Sequence, residues 1–352
     1  MQNPDARLAL IHEWMSRDLG LGPERIEPAS SDASFRRYFR AWLPTGTHSG
    51  KKPGSAATLI VMDAPPDKED VRPYLKVSGL LESVGVHVPH VHEADIGRGL
   101  LLLEDLGTTQ YLARLNAGDE PDGLYGDALG VLADVQVRGQ GVSSELPPYD
   151  RAALTRELAL MPEWFCKRHL GLDLTASQSA TLESTFEFLM TEALAQPLVF
   201  VHRDYHSRNL MVTPERNPGV IDFQDALRGP IGYDLVSLLK DCYIWWPRER
   251  VERWVSGYRR LLGSAGGPVG SSETEFLRWF DLIGVQRHLK VLGIFARLWY
   301  RDGKSGYLRD LPLTFEYVRD TCRRYPELAA LSEFLEEKVT SELPRANARV
   351  LA

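Results

Sequence analysis

Residues 199–209 read VFVHRDYHSRN. Val199, Phe200 and Val201 form a short apolar run of the kind that makes a buried strand. It gives way at once to His202, Arg203 and Asp204, and Asn209 stands five positions beyond the aspartate. A second apolar run, Val220-Ile221, ends in Asp222, thirteen positions after Asn209. A turn whose Asp and Asn satisfy backbone donors explains the loop taken alone. It does not explain a second acid at the end of the next strand.

The spacing fits H-R-D-x-x-x-x-N, the catalytic-loop pattern of kinases. Phosphoryl transfer from a nucleotide asks little covalent chemistry of a protein. One carboxylate accepts or orients a hydroxyl proton, while an amide oxygen and a second carboxylate hold Mg²⁺ on the phosphates. Asp204 is the candidate catalytic residue. Asn209 and Asp222 are the candidate metal ligands.

Working outward, the first third of the chain alternates strand and helix signals. Leu8, Ile11, Trp14, Met15 and Leu19 predict an amphipathic helix over 5–19. Strands are expected at 34–43 and 58–62, joined by a Gly/Pro/Lys/Ser-rich hairpin connection at 45–57, and again at 90–96 and 99–103. A helix is expected over 67–84, with Asp67 as its N-cap and Gly85 past its end. After Glu104-Asp105-Leu106-Gly107 helices dominate, at 125–137, 154–169, 177–194, 234–246, 248–262, 273–300 and 326–341. Short strands at 198–201, 210–213 and 219–222 interrupt them. The expected fold class is α+β with two lobes, a small β-rich one over 1–104 and a larger, mostly helical one over 105–352.

The chain has 352 residues, more than one ordinary core needs. Its 43% hydrophobic and 25% charged content is that of a globular protein, and a net charge of -7 argues against nucleic acid or an anionic membrane as partner. Three scattered cysteines, Cys166, Cys242 and Cys322, make neither a disulfide frame nor a zinc site. Charges interrupt the apolar pattern of the N-terminus, and no run approaches the roughly 20 apolar residues of a membrane span. A cytoplasmic monomer is expected.

Further candidates surround the loop. Ser30, Ser31, Asp32, Ala33 and Ser34 are small and polar, suited to bringing backbone N–H groups and hydroxyls onto phosphate oxygens. Asp234 stands where a helix begins, which suits an N-cap or a brace for the loop. Trp245-Trp246 suits either packing or sugar stacking. Arg297, Arg301 and Lys304 suit an anionic substrate group or a solvated face. Arg208 and Asp225, beside the metal-ligand positions, complete the substrate-side candidates.

VHRDYHSRNLM and VIDFQDALRGPIGYDLVSLL resemble the aminoglycoside-phosphotransferase-like superfamily of small-molecule kinases, which share the protein-kinase-like fold. PASSDASFRRYFR, TLIVMDAPPDKED, GVHVPHVHEAD and GLLLLEDLGTTQYL are similar to its amino-sugar kinases of bacterial cell-wall recycling. The resemblance covers most of residues 28–245. It implies ATP and Mg²⁺ as cofactors, transfer to the anomeric hydroxyl of an N-acetylated amino sugar, a phosphate loop at 30–34, and an adenine hinge at Glu104 and Leu106. One departure stands out. The strand that carries a phosphate-pairing lysine in kinases reads Leu59-Ile60-Val61-Met62, leaving Arg36, Arg37, Arg40 and Lys68 as candidate replacements and Glu82 a doubtful helix partner. Without that lysine a nucleotide-binding scaffold is the competing class, and an aminoglycoside, choline or homoserine-type alcohol the competing acceptor.

Overall fold

The computed structural model describes residues 5–31, 35–44 and 58–351. Asp32, Ala33, Ser34 and the connection expected at 45–57 lie outside the described residues. The chain divides into two compact units, Met1–Thr109 with Met211–Asp225, and Gln110–Leu210 with Ala226–Ala352.

In the first unit helix α1 (Ala6–Glu13) runs into one π-helical turn, Trp14–Asp18. A five-stranded sheet follows, built from β1 (Arg25–Ser31), β2 (Arg37–Trp42), β3 (Thr58–Asp63), β4 (Val91–Asp95) and β5 (Leu100–Glu104). Its order is β1-β2-β3-β5-β4 and every pair is antiparallel. Alternate residues Phe39, Ala41, Leu59, Val61, Leu100 and Leu102 share one face and are buried with Ile11, Trp14 and Met15. Burying each large side chain contributes about 1.5–3 kcal/mol, which fixes the register, because a one-residue slip would turn the whole set to the other face.

Two expectations need correction here. Ser30 and Ser31 end a strand, β1, that the sequence pattern hides; Pro28 is tolerated because β1 lies at the sheet edge and its register shifts between Pro28 and Ser30. Helix α2 (Arg72–Ser83) starts five residues later than expected, and its N-cap is Val71 rather than Asp67. Pro73 has no N–H for the carbonyl four residues back, so a helix cannot run through it from Asp67 without losing a bond.

The second unit holds helices α3 (Tyr111–Asn116), α4 (Pro121–Arg138), α5 (Arg151–Leu158) and α6 (Ala176–Leu194), then β6 (Leu198–Val201). The helix expected over 154–169 is present in two pieces: α5 ends at Leu158, and a π-helical segment, Met161–Leu170, with Pro162 in its first turn, follows. The hairpin of β7 (Leu210–Met211) and β8 (Gly219–Val220) leads back into the first unit. There Val220 N donates to His87 O at 2.7 Å, and a Cβ on Gly219 would stand 2.7 Å from Leu106 Cδ1, so a larger residue there would have to push the Leu106 side chain aside. Strand β9 (Leu227–Pro230) pairs antiparallel with β6. Helices α7 (Gly232–Leu239), α8 (Arg248–Ser264), α9 (Glu273–Asp302) and α10 (Leu311–Cys322) complete the core, and α11 (Ala329–Phe334) and α12 (Glu342–Leu351) close the chain. The 30 residues of α9 are buried almost all round from Phe280 to Leu292, so this helix is the axis on which the unit packs. No helix among the described residues is long and apolar enough to cross a membrane.

At the end of β3 the buried carboxylate of Asp63 takes Arg7 through Nε at 2.8 Å and Arg37 through Nη2 at 2.6 Å. Asp63 thus ties α1 and β2 to the centre of the sheet, and Arg37 also holds Asp5 at the foot of α1. An ionised side chain survives such burial only when paired. Asp63→Ala is expected to lower unfolding free energy by about 3 kcal/mol, the low end for breaking a buried pair, since both arginines keep some solvent contact. Chemical denaturation measures it; a loss below about 1 kcal/mol would show that the cluster is not what holds α1.

Candidate active site

The sequence loop begins where β6 ends. His202 N donates to Asp234 Oδ2 at 2.6 Å and Arg203 N to Oδ1 at 3.0 Å. Asp234 lies within α7 and is fully buried; the helix N-cap is Ile231, so Asp234 is the brace and not the cap. Burial pushes its carboxyl up to about 7, against the two N–H bonds that favour the charged form. Arg203 adopts φ 80°, a left-handed conformation that costs a non-glycine residue about 1–3 kcal/mol and persists only where surroundings impose it. They do so twice. The backbone is held by Asp234, and the guanidinium by Glu157, which also receives Lys290 Nζ at 3.0 Å.

The far end of the loop is held in the same way. Ser207 N donates to Asp241 Oδ2 at 3.0 Å, and its hydroxyl bonds the same oxygen. Leu112 N donates to Ser207 O at 3.0 Å, and Tyr205 OH to Ala128 O at 2.8 Å. Between these anchors Asn209 Nδ2 donates to Asp204 O at 3.0 Å, which assigns the amide nitrogen to the backbone and makes Oδ1 its acceptor end. Burial pushes the Asp204 carboxyl up, but His206, Lys290, Arg287 and Arg203 outweigh it and hold it below the usual carboxylate range. Burial lowers His206, against the pull of Asp241 and Asp204, while Lys290, Arg287 and Arg203 are permanent cations. His206 Nδ1 and Arg287 Nε are buried with no protein partner.

Asp222 belongs to the first unit, just past β8, with φ 64°. The expected strand over 219–222 stops at Val220, and the left-handed step turns Asp222 out of it. Gln224 Nε2 donates to Asp222 Oδ1 at 2.9 Å, and the next residue, Phe223, packs its ring 4.7 Å from that of Tyr74 on α2. Glu104 ends β5 with its N–H on His90 O at 2.8 Å, and Leu106 packs on Gly219. The 104–107 segment is stiffened by Asp105, which takes Arg40 Nε at 2.6 Å and Nη2 at 2.9 Å and the Gly107 N–H at 2.9 Å. Glu82 pairs with His90 at 3.0 Å. Ser30 and Ser31 pair with Tyr38 and Arg37 across the β1–β2 ladder, so residues 32–36 join the first two strands.

Carboxylate and carboxamide oxygens suit Mg²⁺, which is held by one or two carboxylates plus phosphate rather than by a protein cage. Among the described residues no group of three or more His, Cys, Asp or Glu side chains forms such a cage. Asp222 and Asn209 are donors of the fitting kind.

The substrate-side candidates disperse. Arg208 lies over the Tyr243 ring, 3.5 Å from its centroid. Asp310 is raised to about 6 by burial, against the pull of Arg208. Arg301 is exposed and pairs with its neighbour Asp302 at 2.8 Å, while Arg297, one turn earlier on α9, has a buried Nε with no partner. Trp246 donates to Tyr125 OH at 2.9 Å and belongs to packing, whereas Trp245 is exposed. Asp225 is exposed at the end of the first unit's returning segment. Sequence reasoning missed Asp241, whose role shows only in the fold, and the ring series His206–Tyr243–Phe295–Tyr307, with centroids 5.4, 6.3 and 5.3 Å apart.

Asp234→Asn offers only one acceptor to two buried N–H donors. It is expected to cost about 1–3 kcal/mol, the penalty of one unsatisfied buried group, read as a lower urea midpoint at pH 8. An unchanged midpoint would remove Asp234 as the brace.

A family model described as "Phosphotransferase enzyme family" matches residues 25–277. A protein of Pseudomonas aeruginosa named N-acetylmuramate/N-acetylglucosamine kinase is 47% identical over 341 residues, 94% of this chain and 96% of the relative. One of the same name from Neisseria meningitidis serogroup B is 48% identical over 327 residues, 91% of this chain and 93% of the relative. Among solved structures, the ADP-bound aminoglycoside phosphotransferase APH(2'')-Ib aligns with TM-score 0.57 at 14% identity, covering 89% of this chain and 98% of that one, a likeness of fold. The β-sheet and the helical core, the loop held by two buried aspartates and the match over most of its length agree: the chain belongs to the phosphotransferase enzyme family, with the protein-kinase-like fold its sequence leads one to expect.

Proposed function

We propose that the protein is an ATP-dependent amino-sugar kinase that phosphorylates the anomeric hydroxyl of N-acetylmuramic acid and N-acetylglucosamine, in the cytoplasm, as a step of cell-wall recycling. The observation that carries the reading is the likeness, at 45–48% identity over 91–96% of the chain, to proteins named for those two sugars. Similarity of that extent spans the nucleotide and acceptor sides alike. The neighbour with ADP bound supports a nucleotide donor. Buried free thiols at Cys166, Cys242 and Cys322 fit a reducing compartment.

In this reading Asp222 and Asn209 hold Mg²⁺, which when bound offsets charge on the phosphates. Glu104 and Leu106 present backbone groups to adenine, and the 30–34 segment presents N–H groups to phosphate. Asp204, kept ionised by Arg203, Arg287 and Lys290, accepts the hydrogen bond of the acceptor hydroxyl and aims its oxygen at the γ-phosphorus. Arg208, over the Tyr243 ring, pairs in this reading with the lactyl carboxylate of N-acetylmuramate.

Asp204→Asn is expected to lower kcat by a factor on the order of 10²–10⁴ while nucleotide affinity stays within a few fold. A variant keeping half the wild-type turnover would remove Asp204 from the chemistry. Phosphorus NMR of the product made from N-acetylmuramic acid and ATP is expected to show a sugar 1-phosphate. The methyl glycoside of N-acetylglucosamine, whose anomeric oxygen is blocked, is then not a substrate. If it reacts as fast as the free sugar, phosphate goes to another ring hydroxyl, and the anomeric assignment is wrong though the kinase remains.

A further inference from the structure

Strand β3 reads Leu59-Ile60-Val61-Met62 before Asp63, with Met62 where a kinase carries its phosphate-pairing lysine. Of the four cations the sequence offers instead, three pair with carboxylates other than Asp222. Arg37 is bound by Asp5 and Asp63. Arg40 forks onto Asp105 and also donates to Gly107 O at 3.0 Å. Lys68 is half exposed beside its neighbour Asp67.

Arg36 is different. It directly precedes β2, its side chain is 11% exposed, and its Nη2 lies 3.8 Å from Asp222 Oδ1. The ring of Tyr74 on α2 packs on Phe223, next to Asp222, so the guanidinium and the carboxylate share one half-buried corner of the first unit. At 3.8 Å the pair is an ion pair but longer than a direct hydrogen bond. Two charges in partial burial stabilise each other there as they stand. A divalent cation on Asp222 would reverse the balance, since a guanidinium some 4 Å away would then face net positive charge. An anion between them restores it, and a guanidinium offers five N–H donors in a fork that matches phosphate oxygens.

We propose that Arg36 is the nucleotide-phosphate cation of this protein, supplied from the start of β2 in place of the lysine absent from β3, and held in position by Asp222. The inference rests on the kinase reading above and adds the group that binds the donor's phosphates.

Calorimetric titration of adenosine and of ADP, without and with Mg²⁺, tests it in the wild type and in Arg36→Gln, Arg36→Lys and Lys68→Gln, with thermal unfolding as the control for folding. Arg36→Gln is expected to bind adenosine as the wild type does and ADP about 10- to 100-fold more weakly, the loss of a charge-assisted pair. Arg36→Lys keeps the charge but not the fork, and its preference for ADP over adenosine is expected to fall several-fold. Lys68→Gln is expected to stay within twofold. ADP binding by Arg36→Gln within twofold of wild type overturns the assignment, as does a loss confined to Lys68→Gln. Should Arg36→Gln fail to fold, an unchanged ADP-to-adenosine preference in Arg36→Lys overturns it instead. A wild type that binds no ADP defeats the nucleotide reading itself, a result distinct from an Arg36 variant that binds ADP normally.

Discussion

Two backbone N–H groups, those of His202 and Arg203, converge on one buried carboxylate, Asp234, and the placement of every candidate group on the loop depends on that contact. Without it only the grip of Glu157 on the guanidinium would be left to compensate the left-handed step at Arg203, with nothing holding the backbone turn that leaves β6. Because the turn is made there, Asp204 emerges at a fixed angle and Asn209 folds back onto its carbonyl. Asp241 does the same for the return half through Ser207. The loop is rigid because two acids behind it consume its N–H groups. That is the kind of support a reacting group needs, since a misplacement of about 1 Å can cost two orders of magnitude in rate.

Those acids bring a problem, because carboxylates out of water are stable only against matching charge. The second unit meets it with cations from one helix. Arg287 and Lys290 stand three residues apart on α9, hence on one face, and both act on Asp204. Lys290 also closes on Glu157, which in turn holds Arg203. Loop and central helix therefore form one network, in which each member neutralises another. The arrangement also explains why α9 is buried through its middle and yet rich in buried polar side chains. Its apolar positions form the core, while Arg287 and Lys290 act on Asp204.

How much of this the sequence disclosed follows from what each feature depends on. The Asp204–Asn209–Asp222 spacing is legible because all three residues lie at short separations within one stretch of chain. The sheet is legible where strands alternate, as in β3 and β5. β1 is not, since Arg25-Ile-Glu-Pro-Ala-Ser-Ser has one aliphatic side chain of any size and a proline that only an edge strand admits. α2 was misjudged at Pro73, where apolar periodicity continues through a residue that interrupts the hydrogen-bond ladder, and the helix expected over 154–169 comes in two pieces. α10 went unseen despite buried Leu311, Phe315, Val318 and Cys322 at helical spacing. Asp241 carries no local signal at all: its role depends on Ser207, 34 residues earlier, and only folding joins them.

The electrostatics of the loop bear on what the acceptor hydroxyl must be. A carboxylate held ionised by three permanent cations is a weaker base than an isolated one, and so poor at removing a proton from an ordinary alcohol. A loose, metaphosphate-like transition state reduces the demand, because the nucleophile is little bonded to phosphorus and its proton can leave late. A hemiacetal hydroxyl reduces it further, being more acidic than the other hydroxyls of a sugar ring. In the proposed kinase, the same cations that hold Asp204 in its buried position would make it an orienting acceptor more than an abstracting base. Such a group serves best where the substrate's own hydroxyl gives up its proton readily, and on a free amino sugar that hydroxyl is the anomeric one.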